Sequence, residues 1–252
     1  MLKGVSFAGN VALVTGATRG IGEATAKLMA QRGAYVLASG QDLERGNRVV
    51  AEIRAAGGAA DFLSATLTDS DQCQALAAHA VEVAGRVDIL INNAAIGVFG
   101  ATAAVPEPDF DACYALNVKA PFYLVAALAP AMAARGRGVI VNVTTMVASF
   151  GTAGSAVYAS SKAALNHLTK CWAAEYGPHG VRVNAVAPGP TLTDNAKAVF
   201  GEDGLNKMMR QAPARRTATP DEIAEAIAYL ASDQASFIHG AILPADGGRT
   251  AT

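Results

Sequence analysis

The chain has 252 residues and a net charge of −1, with 52% hydrophobic but only 16% charged residues. A single α/β domain commonly reaches this length, and the charged share is below that of an average soluble domain. Intrinsic disorder is excluded, because it requires low hydrophobicity together with high net charge. Binding to nucleic acid is disfavoured, since no basic excess exists to meet phosphates.

No apolar run reaches the roughly 18 residues that a transmembrane helix needs, and residues 1–10 show no signal-peptide pattern. Cys73, Cys113 and Cys171 are far apart, and so are the four histidines. Neither set has the spacing of a disulfide framework or a metal site. We therefore expect a cytoplasmic protein with no metal and no membrane contact.

Strand and helix patterns alternate along the chain. Short apolar runs predict strands at 11–15, 35–39, 59–64, 87–92, 139–145, 181–187 and 241–244. Helices are predicted at 22–31, 43–56, 69–84, 108–134, 155–176 and 220–230, with a bend in the longest at Pro121. Apolar strands that alternate with helices predict one α/β domain over residues 1–252, a doubly wound parallel sheet of about seven strands with helices on both faces. Residues 190–216 form a long polar excursion, which is typical of a lid over a binding site.

Three glycines mark the turn between the first strand and the first helix, at Gly16, Gly20 and Gly22. Glycines at such a turn let a pyrophosphate approach the helix N-terminus closely. Their spacing, GxxxGxG, is wider than the usual GxGxxG fingerprint. In a strand–turn–helix context the pattern nevertheless favours a dinucleotide site over an ordinary turn.

Further motifs follow in order. Asn92-Asn93-Ala94-Ala95 ends the fourth strand, Asn117 lies in the longest helix, Tyr158 and Lys162 are four residues apart, and Asp246-Gly247-Gly248 ends the chain's last motif. With these motifs the chain resembles the short-chain dehydrogenase/reductase family from about residue 9 to residue 248, and its 3-oxoacyl-acyl-carrier-protein reductase-like members in particular. The resemblance implies a Rossmann-type fold and hydride transfer between a nicotinamide cofactor and a ketone or secondary alcohol.

The reacting group is expected on the helix at 155–176. Tyr158 and Lys162 share one face there, and a nearby ammonium lowers the pKa of a phenol toward the working pH. The resemblance implies that Tyr158 exchanges a proton with the substrate, that Lys162 also holds the nicotinamide ribose, and that Asn117 steadies a water. The family's catalytic serine is replaced by Thr145, whose hydroxyl can still polarise a carbonyl but whose methyl narrows the site.

Two residues favour NADP(H) over NAD(H), which remains the less favoured alternative. NAD-specific relatives carry an aspartate where this chain has Gly40, and Arg19 could meet a 2′-phosphate. Asp42 lies close by and is expected to cap a helix. The residues predicted to bind the cofactor are Gly16, Thr18, Arg19, Ile21, Gly22, Ser39, Gly40, Gln41, Thr66, Leu67, Asn93, Ala94, Tyr158, Lys162, Pro188, Gly189, Thr191 and Thr193.

The predicted substrate pocket is apolar, which favours an apolar ketone or alcohol as the small-molecule substrate. Its residues are Ile96, Val147, Phe150, Phe200 and Met208. One alternative is a 3-oxoacyl-acyl-carrier-protein reductase, in which Arg135 and Arg137 near the pocket mouth would dock the acidic carrier. His179, however, stands where such an enzyme needs a permanent positive charge. A second alternative is a non-catalytic NADP(H)-binding sensor or scaffold.

The two longest helices, 108–134 and 155–176, are apolar on more than one face, and a second apolar face must be buried against something. The resemblance implies that these helices form one contact between subunits and residues 238–248 a second. Two different two-fold interfaces generate a closed tetramer. We therefore expect a homotetramer, with a dimer as the fallback.

Overall fold

The computed structural model describes residues 5–252, and a parallel sheet of seven strands lies at its centre. The strands are β1 (Val11–Thr15), β2 (Tyr35–Gly40), β3 (Ala59–Ser64), β4 (Ile89–Asn92), β5 (Gly138–Val143), β6 (Val181–Pro188) and β7 (Ile242–Ala245). They pair in the order β3-β2-β1-β4-β5-β6-β7. The predicted doubly wound, Rossmann-type fold is confirmed. The strand order reverses direction between β1 and β4. Sheets of this type bind ligands at such a switch point, beside the carboxyl ends of the strands.

Eight helices cover the sheet of the described chain. They are α1 (Gly20–Gln31), α2 (Leu43–Ala55), α3 (Ser70–Ala84), α4 (Glu107–Tyr114), α5 (Ala120–Ala134), α6 (Ala156–Tyr176), α7 (Asp194–Met208) and α8 (Pro220–Ala231). The start of α2 is capped as predicted, because the Asp42 carboxylate accepts a hydrogen bond from the Arg45 amide at 3.0 Å. Helices α1, α2 and α8 pack on one face, and α3, α5 and α6 pack on the other.

Both faces of each central strand are buried, which explains why most of their residues are apolar. In β1, Ala12 and Val14 belong to the core beneath α1 and α8, whereas Leu13 belongs to the core beneath α3, α5 and α6. Successive side chains of a strand point to opposite faces, so a strand covered on both sides buries all of them, and its few polar side chains, such as Asn142 and Asn184, are hydrogen-bonded.

The long helix predicted over 108–134 is interrupted, but not by a bend at Pro121. A π turn, Ala115–Lys119, separates α4 from α5, and Pro121 lies in the first turn of α5. The amide of Ala120 bonds the carbonyl five residues back, at Ala115. Proline has no N–H to offer the carbonyl four residues back, which here is that of Asn117. The irregular turn therefore falls at the asparagine singled out in the sequence.

The stretch from α4 to α5, Glu107–Ala134, is long and apolar enough by length and composition to cross a membrane. Its most apolar window has a mean hydropathy of 1.4, and 44% of that window is buried in the subunit. The helix packs against α3 and the sheet through residues such as Leu124 and Leu128. Phe122 is 44% exposed on its outer side, so part of this apolar surface is left uncovered within one chain.

Arg135 and Arg137 do not lie at the pocket mouth, as the acyl-carrier alternative requires. They immediately precede β5, at the amino edge of the sheet, where Arg135 donates to the Val87 carbonyl at 2.7 Å and Arg137 lies 3.4 Å from Asp233. The predicted site lies at the carboxyl edge, roughly 20 Å away along a six-residue strand. His179, just before β6, is also at the amino edge.

A buried arginine joins β6 to the end of α8. Arg182 is 8% exposed, and its guanidinium donates to the carbonyls of Leu230 at 2.8 Å, Ala235 at 3.1 Å and Ser232 at 2.9 Å. The last carbonyls of a helix have no partners within the helix. Arg182 supplies those partners and fixes α8 against the sheet.

The polar excursion at 190–216 contains α7, which breaks at Gly201. Gly201 has a φ of 67° and a ψ of 159°, a backbone conformation that a residue with a side chain adopts only with strain. Leu205 and Met209 on the second half of the helix are buried. The segment thus lies over the carboxyl edge as two short pieces.

Candidate active site

The turn after β1 brings backbone atoms so close together that only glycine fits. A Cβ on Gly22 would lie 2.2 Å from the carbonyl oxygen of Gly16, and a Cβ on Gly16 would lie 2.9 Å from the Cα of Ala94. Gly16 and Gly20 also have φ values of 64° and 58°. The start of α1 is therefore left open toward the carboxyl edge, as a phosphate site at a helix N-terminus requires.

Asn93 fixes this turn to the end of β4. Its Nδ2 donates to the carbonyls of Thr15 at 2.9 Å and Gly16 at 3.1 Å. In return, the Thr15 hydroxyl accepts the amides of Asn93 at 3.0 Å and Ala94 at 3.1 Å. The two strands at the switch point are thus joined by side chains as well as by the sheet.

A groove of about 410 Å³ runs along this turn toward the end of β2. Its lining includes most of the residues predicted to hold the adenosine half of a dinucleotide, namely Gly16, Thr18, Arg19, Ile21, Gly22, Ser39, Gly40, Gln41, Leu67, Asn93 and Ala94. Thr66 is exposed and does not line the groove, although its neighbours Ala65 and Leu67 do.

Two observations show that the groove fits a dinucleotide. Ser39 Oγ is buried at the groove and has no hydrogen-bond partner among residues 5–252, so it is free to bond a ribose hydroxyl. A Cβ on Gly40 would lie 2.6 Å from Thr18 Cγ2, so the end of β2 approaches the glycine turn closely. The sequence analysis missed Arg45, which also lines the groove. Its helical position gave no signal, because a charged residue there is normally only a solvated side chain.

A second cavity, of about 590 Å³, adjoins the groove at the carboxyl ends of β4, β5 and β6. Ile21, Asn93 and Thr193 line both spaces. The cavity brings together the predicted residues Thr145, Tyr158 and Lys162, with Pro188, Gly189 and Thr191 beside them. A molecule spanning the groove would therefore end beside the tyrosine.

The phenol of Tyr158 is desolvated, and burial raises its pKa to about 12 against the opposing effect of a hydrogen bond with Thr145. This direction is opposite to the one expected from a neighbouring ammonium. Lys162 is fully buried, and desolvation lowers its pKa to about 8. Its Nζ donates to the carbonyl of Val143 at 2.8 Å. Burial is therefore the largest influence on the pKa of both groups, which is what a low-dielectric site does to a phenol and an ammonium.

Asn117 lies beneath the cavity and does not line it. Its side chain is fully buried, with Nδ2 donating to the Ile96 carbonyl at 2.9 Å and Oδ1 accepting the Ile96 amide at 3.0 Å. Nδ2 also donates to Ser161 Oγ at 3.0 Å. Both polar atoms of the Asn117 side chain are thus hydrogen-bonded within the protein. Only the backbone of Asn117 could therefore contact the water that the sequence led us to expect.

The wall of the second cavity is mainly apolar, but two predicted pocket residues lie elsewhere. Ile96 lines the dinucleotide groove, and Phe150 packs beneath the Arg249 guanidinium, 5.0 Å from its ring centroid. Val147, Phe200 and Met208 do line the cavity, together with Phe99, Met146 and Leu205. The direction of a loop side chain depends on its tertiary contacts, and these cannot be read from a periodic pattern in the sequence.

Phe99, in the loop after β4, was expected among the residues around the substrate pocket, and it lines the cavity. Its ring centroid lies 5.3 Å from that of Tyr158 and 5.2 Å from that of Phe200 on α7. Rings at these distances in tilted or edge-to-face geometry attract each other. Phe99 therefore links the reacting phenol to the segment that covers it.

Comparison with known proteins agrees with this geometry. A family model described as enoyl-(acyl carrier protein) reductase matches residues 16–250. A solved structure described as a short chain dehydrogenase/reductase family protein superposes with a TM-score of 0.90 at 44% identity, covering 98% of this chain and 100% of the other. The chain belongs to the short-chain dehydrogenase/reductase family. It is an NAD(P)-dependent oxidoreductase that acts on hydroxyl or carbonyl groups.

Individual relatives of this dehydrogenase/reductase differ in their substrates. The 7alpha-hydroxysteroid dehydrogenase of Escherichia coli K12 is 40% identical over 240 residues, which cover 95% of this chain and 94% of the relative. The 3-oxoacyl-[acyl-carrier-protein] reductase of Thermotoga maritima is 37% identical over 243 residues, covering 95% and 97%. The family is therefore shown, whereas the substrate is not fixed by similarity.

Proposed function

We propose that this dehydrogenase/reductase interconverts an apolar ketone and its secondary alcohol, with NADP(H) as cofactor. The observation that carries the proposal is the lining of the 590 Å³ cavity, in which Lys162 is the one charged side chain among the described residues. Aromatic, aliphatic and methionine side chains form most of the remainder. A charged substrate would lose its hydration in such a cavity without gaining a partner.

The roles of the cavity residues follow from their placement. Tyr158 donates its proton to the carbonyl oxygen during reduction and takes it back during oxidation. Thr145 hydrogen-bonds the same oxygen, where a buried donor stabilises developing negative charge. The Lys162 ammonium favours the phenolate that forms when Tyr158 has lost its proton. The bound nicotinamide supplies or accepts the hydride.

Two cations at the groove support NADP(H). Arg19 and Arg45 both line the groove, and the residue that directly follows β2 is the neutral Gln41, although Asp42 lines the groove as well. Arg45 Nε lies 3.2 Å from the Asp42 carboxylate, which also caps α2, so the guanidinium is held near the groove. Relatives of known structure hold NADP in one case and NADH in another. Arginine binds phosphate oxygens in a bidentate manner, which favours the 2′-phosphate of NADP.

A 3-oxoacyl-acyl-carrier-protein reductase is the second candidate, because a relative at 37% identity has that name. Arg135 and Arg137 lie at the amino edge of the sheet, away from the cavity of the same chain, and this argues against their docking an acyl carrier there. A bulky cyclic ketone is favoured instead by the relative named for a hydroxysteroid and by the size of the cavity. We therefore rank apolar cyclic ketones first and acyl-carrier thioesters second.

The exposed apolar surface supports a homotetramer. Phe110 and Phe122, on α4 and α5, are 43% and 44% exposed, and Phe237 beside β7 is fully exposed. Phe110 and Phe122 lie in the stretch 108–134 predicted for one subunit contact, and Phe237 directly precedes the segment 238–248 predicted for the other. Light scattering coupled to size exclusion tests the assembly, and a mass of 25.6 kDa, that of one chain, would contradict it.

The function is tested by following NADPH and NADH oxidation against a panel of ketones. The panel includes a steroid ketone, a substituted cyclohexanone, an acetoacetyl thioester and a charged sugar ketone. We expect turnover with the cyclic ketones and NADPH. Preference for the thioester would support the second candidate, and tight NADPH binding without turnover on any ketone would support a sensor or scaffold.

A further inference from the structure

Ser161 lies between Tyr158 and Lys162 on α6, and its side chain is fully buried. Its Oγ donates to the backbone carbonyl of Tyr158 at 2.7 Å, one turn earlier in the same helix. The same Oγ accepts a hydrogen bond from Asn117 Nδ2 at 3.0 Å. Ser161 therefore joins the π turn to the turn of α6 that carries the phenol.

The Asn117 amide has few alternatives to this serine. One Nδ2 hydrogen is committed to the Ile96 carbonyl, which leaves the other for Ser161. Cys113 Sγ lies 3.3 Å from Nδ2, but a thiol is a weak acceptor. Without Ser161 the amide would keep its bonds to the loop after β4 and lose its bond to α6.

We propose that Ser161 is a positioning residue that holds the Asn117 turn at a fixed distance from Tyr158 and Lys162. The proposal rests on the proposed function, since it assigns the reacting group to Tyr158. Ser161 lines neither the groove nor the cavity, so it acts through its neighbours and not on the substrate. The π turn has irregular backbone bonding, so the side-chain bonds of Asn117, to Ile96 on one side and to Ser161 on the other, fix where the asparagine sits.

Ser160 offers a matched control on the same helix. Its Oγ donates to the Val157 carbonyl at 3.0 Å and accepts from the Tyr114 hydroxyl at 2.9 Å. Ser160, one residue before Ser161, thus has the same bonding pattern, but its hydroxyl joins α6 to α4. Its contacts do not include Asn117 or the carbonyl of Tyr158, and it is exposed.

The experiment compares Ser161→Ala with Ser160→Ala in ketone reduction. Ser161→Ala is expected to lower kcat about tenfold or more, because small misplacements of reacting groups are costly. KM for NADPH should stay within about twofold, and the solvent deuterium isotope effect on kcat should rise as proton transfer becomes limiting. Ser160→Ala should leave all three values unchanged. In an Asn117→Ala background, Ser161→Ala should add no further loss, since coupled residues are not additive.

Wild-type kcat in Ser161→Ala, equal losses in both serine variants, or additive losses with Asn117→Ala would each overturn the proposal. If Ser161→Ala does not fold, Ser161→Cys replaces it, with a similar size and a weaker hydrogen bond. It should show a smaller loss of kcat with a raised isotope effect, and wild-type values of both would refute the role. An active Tyr158→Phe would refute the proposed function instead, so the two failures are distinguishable.

Discussion

The ammonium of Lys162 donates to the carbonyl of Val143, the last residue of β5, at 2.8 Å. Val143 directly precedes Thr144 and Thr145, so the lysine is bonded to the strand end that carries the hydroxyl proposed to bind the substrate oxygen. The reacting groups of α6 and β5 are thus held together by a buried ion–dipole bond. The pH behaviour of the enzyme should follow from this arrangement.

Ketone reduction is expected to slow as pH rises through about 8. Burial lowers the pKa of Lys162 to about 8 and raises that of Tyr158 to about 12, so the phenol keeps its proton while the lysine loses its charge. Reduction needs both the proton and the stabilising charge. The pH dependence of kcat/KM, which reports on free enzyme, should bend near pH 8, and Lys162→Met should remove that bend. A flat profile across this range in the unmodified enzyme would contradict the role of the ammonium.

Tyr158→Phe is expected to abolish turnover while NADPH binding stays nearly intact. The substitution removes the proton that the substrate oxygen receives, but it keeps the ring that lies 5.3 Å from Phe99. Cofactor binding, followed by NADPH fluorescence, serves as the control for folding. Near-normal turnover in this variant would show that the proton comes from another group.

Thr145→Ala is expected to lower kcat about 10²-fold or more, as does the loss of one oxyanion donor in other enzymes. Thr145→Ser keeps the hydroxyl, removes a methyl and should retain or raise the rate. Thr144→Ala provides the matched control, because the Thr144 hydroxyl already bonds the Val186 carbonyl at 3.2 Å. If loss of activity follows Thr144 and not Thr145, the hydroxyl role belongs to the neighbour.

Arg19→Ala and Arg45→Ala should each raise KM for NADPH and change KM for NADH little. Both residues line the groove that would hold the adenosine end of the cofactor. The double variant should lose most of the preference for NADPH. Equal losses with both cofactors would mean that the arginines only shape the groove, and a preference of the unmodified enzyme for NADH would refute the choice of NADP(H).

Arg182→Met is expected to destabilise the fold by about 3 kcal/mol, since each buried carbonyl left without a donor costs roughly 1–3 kcal/mol. The carbonyls at the end of α8 would lose their donors. Urea unfolding measures the change. Arg137→Ala is the control, because Arg137 pairs with Asp233 at the surface, and exposed pairs contribute about 0–1 kcal/mol. Equal midpoints for the two variants would contradict the capping role.

The order of strands and helices could be predicted because buried parallel strands are mostly apolar and glycine turns separate several of them from the following helices. The motifs also predicted that Thr145, Tyr158 and Lys162 belong to one site, because their order and spacing resemble those of the family. The direction of the phenol pKa could not be predicted. It depends on how completely water is excluded, and that depends on the packing of Phe99 and the lid.

Loop residues limited the prediction of the pocket. Phe150 and Ile96 are apolar and follow the right strands, yet one packs under Arg249 and the other faces the groove. Arg135 and Arg137 were expected near the pocket mouth only because they are basic. Their position before β5 puts them at the amino edge of the sheet, opposite the cavity. Strand direction would have been the better guide, because it determines at which edge a residue lies.

The bonds from Asn93 to Thr15 and Gly16 fix the floor of the groove, whereas the second cavity is lined on one side by a helix that breaks at Gly201. Preorganisation lowers the entropic cost of binding in the groove, but not in the second cavity. Substitutions in the covering helix can therefore alter which ketone is accepted without weakening the cofactor's hold. The two affinities can evolve separately, which lets one scaffold acquire new substrates while its redox partner stays the same.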